Sequence, residues 1–556
     1  MWLRKRAPAR SDADAHGTSA DHVASDDGPR CLRAPKTRRL LRRFTPLGDE
    51  PPTHVKSEDL LEGKMLRTFA KSVVHKGVIS CGRPSLQGDF KLASLCSGSE
   101  VLSVAMGALS SAFQEQGIEL RVFVPLACEI EPNKRQWIQK VQDELHPMFS
   151  EGMCVFDDIT CLSSGKAWCQ RHSEYCAVKE QFDGLMCGFS CRDLSRMNPN
   201  RAKLASLVFS SSASPGKTND TFTGALEFIG EHNPEFIGLE NSDTLDDADH
   251  AIGLDILLQN LAEMGYDVQA FLIDCQEYAL PQARKRVFVV GVKRPARRLK
   301  IANFSAFFNK YKGLLESFKM EGPDLRHVLL GEDNEFVRKE LLAKLSKGMP
   351  KGWDSSTIDA HRREWSRSGM RWQACKASKN DKDSPWFGTL AARKKDTLAF
   401  NQHTNKKQPF RLIGCDIGQS IARASTTVLN AKGQVISPTL LPGSCLWLSI
   451  EEDVNIPHAV HRPLLGVEAL TLQGWPILDP RWLNLAQSVD NSFHLDLAGN
   501  AFPGTVIIAL IASLVFAIDW DTDVKQSQWD DEVFTDNQAA GAAACLLQRV
   551  GSTKPA

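Results

Sequence analysis

Three short motifs in this 556-residue chain carry side chains that could do covalent chemistry. Cys191 ends one apolar run, and Glu240 ends the next. Arg284 and Arg286 stand just before a third apolar segment, residues 287–292. A thiol, a carboxyl group and two fixed cations suit nucleophilic catalysis, because cations stabilise a thiolate and an acid can protonate the group under attack.

The elements around these motifs predict an α/β fold. From residue 90 onward, apolar runs of strand length alternate with helical stretches, one of them opened by Pro132. Strands are predicted at 90–96, 120–129, 152–159, 182–188, 234–240, 266–275 and 286–292, and helices at 100–116, 221–232, 250–264 and 506–518. We therefore expect a doubly wound, Rossmann-like sheet, in which reactive groups gather beyond the carboxyl ends of the strands.

The ends of the first two strands carry residues suited to a nucleotide-like cofactor. Ser97, Gly98 and Ser99 are small residues that let a ligand approach the backbone at the start of a helix. Glu129 ends the second strand, where a carboxylate accepts ribose hydroxyls in dinucleotide-binding folds. Each signal is weak alone, but their occurrence at successive strand ends predicts a cofactor site.

The order of the motifs Cys191, Glu240-Asn241 and Gln282-Ala-Arg284-Lys-Arg286 resembles the cytosine C5-methyltransferase family. The resemblance runs from about residue 90 to 292 and resumes at about 462 to 518. It implies a methyltransferase sheet with a smaller inserted target-recognition domain, S-adenosyl-L-methionine as methyl donor and DNA as partner. Such an enzyme rotates its target base out of the stacked duplex.

The resemblance also implies roles for the reactive residues. Cys191 adds to C6 of the cytosine ring, and Glu240 protonates or hydrogen-bonds N3. Arg284 and Arg286 hold the ring O2 and orient Glu240, and the position of Arg286 in the motif makes it the better candidate for O2.

Five further cofactor contacts follow from the same resemblance. Ile130 packs on the adenine, Asp158 accepts a hydrogen bond from its amine, and Ile159 forms another apolar wall. Asn500 lies near the cofactor carboxylate. Ala501 stands where the family has a serine, so one hydroxyl contact is lost.

Several positions depart from the family pattern. Glu100 and Val101 replace glycines, which should make the cofactor loop stiffer and more anionic. Ser190 replaces a proline before the nucleophile, Arg192 replaces a glutamine, and Ser242 replaces a valine. None of these changes removes a reacting group.

The same features divide the chain into regions. We expect a basic disordered N-terminal region at 1–85, a cofactor-binding catalytic domain at 86–295, a target-recognition region at 296–460, a closing part of the catalytic domain at 461–524 and a disordered tail at 525–556. The recognition region interleaves Trp353, Trp365, Trp372 and Trp386 with basic segments. This mixture suits phosphates and stacked bases, but charged surface over an ordinary core would look similar.

Bulk composition limits the possible partners. Lys plus Arg and Asp plus Glu are both 67, so the net charge of zero gives no global signal for a polyanion. No apolar stretch of membrane-spanning length is apparent, so no membrane partner is expected. Basic clusters near the N-terminus favour nuclear import, with an organelle or the cytoplasm as alternatives.

The 15 cysteines are scattered, which predicts reduced thiols. Five residues form an arguable metal cluster, but their irregular spacing favours free thiols, so no metal is predicted: Cys154, Cys161, Cys169, His172 and Cys176.

Alternative functions remain on the same fold. One branch of the family methylates tRNA, but it carries a Cys-Phe-Thr tripeptide that this chain lacks, and the long recognition region favours DNA. An inactive cofactor-binding chromatin scaffold is suggested by the altered cofactor loop and Ser190. A nicotinamide dehydrogenase would share the early βαβ pattern but would not explain the ordered motifs.

Overall fold

The computed structural model describes residues 52–84, 86–145, 153–178, 182–194, 217–247, 251–296, 299, 301–348, 350–405, 413–452 and 458–518. Among these residues, fifteen strands are β1 (Gly88–Leu95), β2 (Leu120–Cys128), β3 (Cys154–Phe156), β4 (Lys166–Cys169), β5 (Glu174–Ala177), β6 (Gly184–Cys187), β7 (Phe236–Ser242), β8 (Tyr266–Asp274), β9 (Gln282–Ala283), β10 (Lys285–Lys293), β11 (Gly414–Asp416), β12 (Val428–Leu429), β13 (Val435–Pro438), β14 (Leu446–Ile450) and β15 (Val460–Pro463).

Nine of these described strands form the central sheet, in the order β5-β4-β3-β2-β1-β6-β7-β10-β8. Strands β3, β2, β1, β6 and β7 are parallel, whereas β10 runs antiparallel to both β7 and β8. From β1 the chain first builds outward through β2 and β3 and later returns to build β6 and β7 on the other side. The strand order therefore reverses between β1 and β6, which is where a doubly wound sheet places its ligands.

The α-helices in the described part of the chain are α1 (Ser57–Leu61), α2 (Met65–Cys81), α3 (Val101–Glu115), α4 (Pro132–Leu145), α5 (Lys217–His232), α6 (Ala251–Glu263), α7 (Phe304–Ser317), α8 (Glu335–Ser346), α9 (Ser355–Arg367), α10 (Lys379–Asp383), α11 (Pro385–Gly388), α12 (Ala392–Thr404), α13 (Gly466–Thr471), α14 (Leu483–Gln487), α15 (Asn491–Asn500) and α16 (Gly504–Ala517).

Two hydrophobic clusters cover opposite faces of the sheet. On β1, Phe90 and Leu92 belong to the cluster that contains α2, α3 and α16, and Ala93 and Leu95 belong to the cluster that contains α5 and α6. Because successive side chains of a strand point to opposite faces, this alternation places helices on both sides. The predicted doubly wound fold is confirmed.

Helix α16 is apolar on all sides because it lies at the centre of the first cluster, against α2, α3 and α7. An 18-residue window of the segment Asn491–Ala517 is apolar enough, by length and composition only, to cross a membrane. However, 94% of its most apolar window is buried inside the protein. Burial in the core therefore accounts for its composition.

The N-terminal boundary predicted at residue 85 is wrong. Helix α2 lies inside the supposed disordered region, and Phe69, Val73 and Val74 are fully buried against α16 and α3. Its apolar face was hidden in the average composition of the basic segment. The basic clusters within residues 1–51 and the predicted tail at 525–556 lie outside the described residues.

The predicted recognition region contains core residues as well as surface. In α7, the Tyr311 hydroxyl donates to the Leu510 carbonyl at 3.0 Å, so this helix packs with the catalytic fold. Trp365 and Trp386 are 0% and 1% exposed and cannot stack on bases. The plain-core interpretation is therefore correct for these two tryptophans.

Candidate active site

The nucleophile loop follows β6 at the point where the strand order reverses. Its backbone is held from two sides: the Asn241 side-chain amide donates to the Phe189 carbonyl at 3.1 Å, and the Ser190 amide donates to the Thr221 hydroxyl at 3.0 Å. Cys191, one residue further on, is exposed to solvent. The loop therefore holds a solvent-accessible cysteine on an anchored backbone.

Glu240 and the two arginines lie on adjacent strands. Glu240 is inside β7, which runs two residues further than predicted, and it faces β10. Arg286 Nε lies 2.9 Å from Glu240 Oε1, and both side chains are about one-eighth exposed, at 12% and 13%. Arg286 therefore fixes the Glu240 carboxylate, which is one of the two roles predicted for it; the other is to donate to the ring O2.

Arg284 is buried and has unused hydrogen-bonding capacity. Its Nη2 donates to the Ala501 carbonyl at 2.8 Å, whereas Nε and Nη1 have no partner. The pKa of Arg284 is lowered to about 10, first by burial and then by the neighbouring Arg286, while Glu240 opposes the shift. Buried unpaired N–H groups are costly, so a ligand that accepts from them would be favoured. This differs from the sequence prediction, which made Arg286 the better donor to a ring oxygen.

The structure brings Cys191 and these charges together. The pKa of the Cys191 thiol is raised above its usual value, first because surrounding protein desolvates it although it remains accessible. Arg286 and Arg284 lower this pKa, and Glu240 raises it. A Cβ placed on Gly188 would lie 3.5 Å from Glu240 Oε2, so the backbone at the start of the nucleophile loop lies next to the Glu240 carboxylate. The fold therefore places the three motifs close together in space.

The predicted cofactor residues Gly98, Glu129 and Asn500 lie close together beyond the carboxyl ends of β1 and β2, and this region is called the cofactor edge below. The Gly98 amide donates to Glu129 Oε2 at 3.0 Å, and the Glu131 amide donates to Oε1 at 3.1 Å. A Cβ on Gly98 would lie 2.9 Å from the Asn500 carbonyl, so the closing segment does fold back beside β1. Ile130 is 63% exposed, which is unusual for a large apolar side chain and leaves a surface for a ligand.

Four other predicted cofactor residues have buried side chains: Ser97, Ser99, Ile159 and Ala501. The Ser97 hydroxyl bonds within the fold, to Ser94 at 2.9 Å, and Ile159 packs beside Gly224 of α5. Ala501 uses its carbonyl to hold Arg284. These four side chains therefore pack inside the protein beneath the predicted cofactor site and expose little surface to a ligand. Asp158 is partly exposed, with Oδ1 accepting from the Thr160 amide at 3.0 Å.

Glu100 does not add its charge to the cofactor surface as expected. It adopts a left-handed conformation, φ 57°, which explains why a glycine suits this position. Its carboxyl group is fully buried and accepts from Ser103 at 2.5 Å and from Ser94 at 3.2 Å. Burial raises the pKa of Glu100 to about 7. The loop is therefore less anionic than its sequence indicates.

Sequence reasoning missed two residues that support the site. Gln282 and Gln473 are both fully buried, and the side-chain amide of Gln473 donates to the side-chain oxygen Oε1 of Gln282 at 2.9 Å. This bond joins the arginine motif to the late segment that contains Trp475, whose indole donates to the Ser99 carbonyl at 3.2 Å. The only sequence signal was that both glutamines lie inside recognisable motifs.

The fold also gathers four of the five arguable metal ligands, with Cys161 exposed and outside the group. Cys154, Cys169, His172 and Cys176 place their ligand atoms within 4.8 Å of one another.

Comparison with known proteins agrees with the motifs. A family model described as C-5 cytosine-specific DNA methylase matches residues 108–515. A DNA (cytosine-5-)-methyltransferase DMT5 from Cryptococcus neoformans var. grubii is 24% identical over 77% of this chain, and a DMT5 from Verticillium dahliae is 21% identical over 80%. These alignments cover 17% and 20% of the relatives, so the chain spans a fifth or less of their length.

A solved structure of S. pombe Dnmt2 methyltransferase aligns with 77% of this chain and 98% of its own, at 12% identity and a TM-score of 0.37.

Proposed function

The chain belongs to the C-5 cytosine-specific DNA methylase family, and from this we propose that it transfers a methyl group from S-adenosyl-L-methionine to C5 of cytosine in DNA through a covalent adduct with Cys191. One observation carries the proposal: exposed Cys191 lies close enough to the Glu240–Arg286 ion pair, and to Arg284 with its unpaired donors, for all three charges to act on the pKa of its thiol.

The ring chemistry explains why a thiol is needed. Cytosine C5 is a poor nucleophile while the ring is aromatic, so a nucleophile must first add at C6. As the thiol of Cys191 gives up its proton to solvent, its sulfur forms a bond to C6, and the ring electrons move toward N3. Once C5 has accepted the methyl group, C5 loses its proton to solvent and the C6–S bond breaks with its electron pair on sulfur, which restores the aromatic ring and leaves a thiolate that takes a proton back from solvent.

Glu240 and the arginines lower the cost of this addition. Glu240 would protonate or hydrogen-bond N3, and Arg286 holds its carboxylate in place. Arg284 would donate its unpaired Nε or Nη1 to the ring O2, where negative charge develops. The raised thiol pKa favours a neutral cysteine at rest, so thiolate formation would be coupled to substrate binding.

The cofactor edge fits S-adenosyl-L-methionine by the chemistry of its groups. Glu129 would accept hydrogen bonds from the ribose hydroxyls. Exposed Ile130 would cover one face of the adenine, and Asp158 would accept a hydrogen bond from the adenine amine. Asn500 lies beside Gly98 at the start of α3, as a contact to the amino-acid end of the ligand requires. When bound, the ligand supplies an electrophilic methyl group.

A methyl-transfer assay with labelled S-adenosyl-L-methionine tests the proposal. We expect label at C5 of cytosine in unmethylated or hemimethylated duplex DNA with the wild-type chain and with Cys161→Ser. Cys191→Ser should incorporate none while it still binds the methyl donor. Label in tRNA but not in DNA would contradict the DNA substrate, and donor binding without transfer to either would contradict catalysis.

A further inference from the structure

Three sulfur atoms and one imidazole nitrogen converge at the edge of the central sheet farthest from β8. Nδ1 of His172 lies 3.2 Å from the sulfur of Cys176, 3.4 Å from that of Cys169 and 3.7 Å from that of Cys154. All four ligand atoms lie within 4.8 Å of one another.

Hydrogen bonding does not account for this arrangement. Nδ1 of a neutral imidazole has either one hydrogen or one lone pair, so it can make one good hydrogen bond and not three. A shared cation at the centre would satisfy all four atoms at once.

The distances match a tetrahedral zinc site. Zn–S bonds of about 2.3 Å and Zn–N bonds of about 2.0–2.1 Å at tetrahedral angles separate nitrogen from sulfur by about 3.6 Å. The three distances from His172 Nδ1 to the sulfur atoms, 3.2, 3.4 and 3.7 Å, lie on both sides of that value. Three thiolates with one imidazole are a known structural zinc set, and soft sulfur ligands disfavour magnesium or calcium.

We propose that Cys154, Cys169, His172 and Cys176 bind one zinc ion in a closed structural site. The ligands come from the start of β3, the end of β4, the turn that follows β4, and β5. Their sequence spacing is irregular because a strand pairing, and not a single loop, brings Cys154 to the others.

This site would reinforce the weakest part of the sheet. β3 has three residues and pairs with β4 through a single residue pair, Phe156 with Cys169. Asp158 and Ile159, two of the predicted cofactor residues, lie two and three residues after the end of β3. A zinc ion that ties Cys154 to the β4–β5 hairpin would therefore help to hold these two residues in position.

Metal analysis of the purified chain tests the site. We expect one zinc per chain after gel filtration in metal-free buffer. Cys176→Ser should lower the zinc retained against a competing chelator at least tenfold. Cys161→Ser is the matched control, since it removes a nearby exposed thiol outside the group, and it should retain one zinc.

Cobalt substitution of the wild-type chain keeps the test decisive if a variant does not fold. Bound Co²⁺ should show the visible absorption of a tetrahedral ion together with thiolate-to-metal charge transfer. Absence of retained zinc together with absence of these bands would overturn the proposal. Equal loss of zinc in Cys161→Ser and Cys176→Ser would also overturn it.

Discussion

Substitution of Glu100 by glutamine should change how the stability of the protein depends on pH. The carboxyl group is fully buried, and its pKa is raised from 4.5 to about 7, chiefly by burial. The folded protein therefore holds this proton more tightly than the unfolded chain does. Glu100 contributes stability that is fully present below about pH 4.5 and is lost as the pH rises through about 7.

The size of the effect follows from the shift. At about 1.4 kcal/mol per pKa unit, the displacement from 4.5 to about 7 corresponds to about 3 kcal/mol once the carboxyl group is ionised. Glutamine has nearly the same shape, keeps the left-handed backbone and can bond to the same serines, but it carries no charge. Glu100→Gln should therefore be more stable than wild type at pH 8, and the difference should shrink by about 2–3 kcal/mol at pH 5.

Denaturant unfolding of both proteins at pH 5, 6, 7 and 8 measures this difference. Other titrating groups are the same in both chains, so their effects cancel. Glu119→Gln, which removes an exposed carboxylate, is the matched control for the loss of one negative charge. A difference for Glu100→Gln that is flat between pH 5 and 8 would refute the reasoning.

Four further substitutions test contacts in the active site and in the buried core. Arg286→Ala should slow alkylation of Cys191 by iodoacetamide at pH 8, because it leaves burial and Glu240 to raise the thiol pKa; Glu240→Gln should speed it, and no change in either rate would contradict the assigned charges. Asn241→Ala should lower kcat by up to ~100-fold with donor binding unchanged, since it frees a loop carbonyl; equal losses in both would contradict a positioning role. Arg462→Ala should cost about 3–5 kcal/mol in unfolding free energy, because Arg462 donates to both oxygens of the buried Glu468 carboxylate and its loss leaves that charge without a cation; a cost below about 1 kcal/mol would contradict this.

The parallel core of the fold could be predicted from the sequence because its strands are continuous apolar runs. Strands β1, β2 and β7 and helix α16 lie close to their predicted ranges. The β4–β5 hairpin was missed because its strands have only four residues each and β5 has no buried residue, so neither strand is an apolar run. Helix α2 was missed because its apolar face lies next to a strongly basic segment.

The proximity of the candidate reactive residues could be predicted, but the state of Arg284 could not. Motif order led to Cys191, to Glu240 and to arginines that orient Glu240, and Arg286 does pair with it, whereas the unpaired donors of Arg284 depend on side-chain directions. The inward direction of the Glu100 side chain likewise depends on the left-handed backbone conformation of that residue. Such features arise from tertiary packing, which residue types alone do not specify.

Trapping on duplex DNA that contains 5-fluorocytosine tests the covalent mechanism most directly, because fluorine blocks the elimination that releases the enzyme. With S-adenosyl-L-methionine present, the wild-type chain should form a denaturation-stable adduct, and the modified peptide should contain Cys191. An adduct that persists in Cys191→Ser, or methyl transfer without any trapped adduct, would contradict the central role of this thiol.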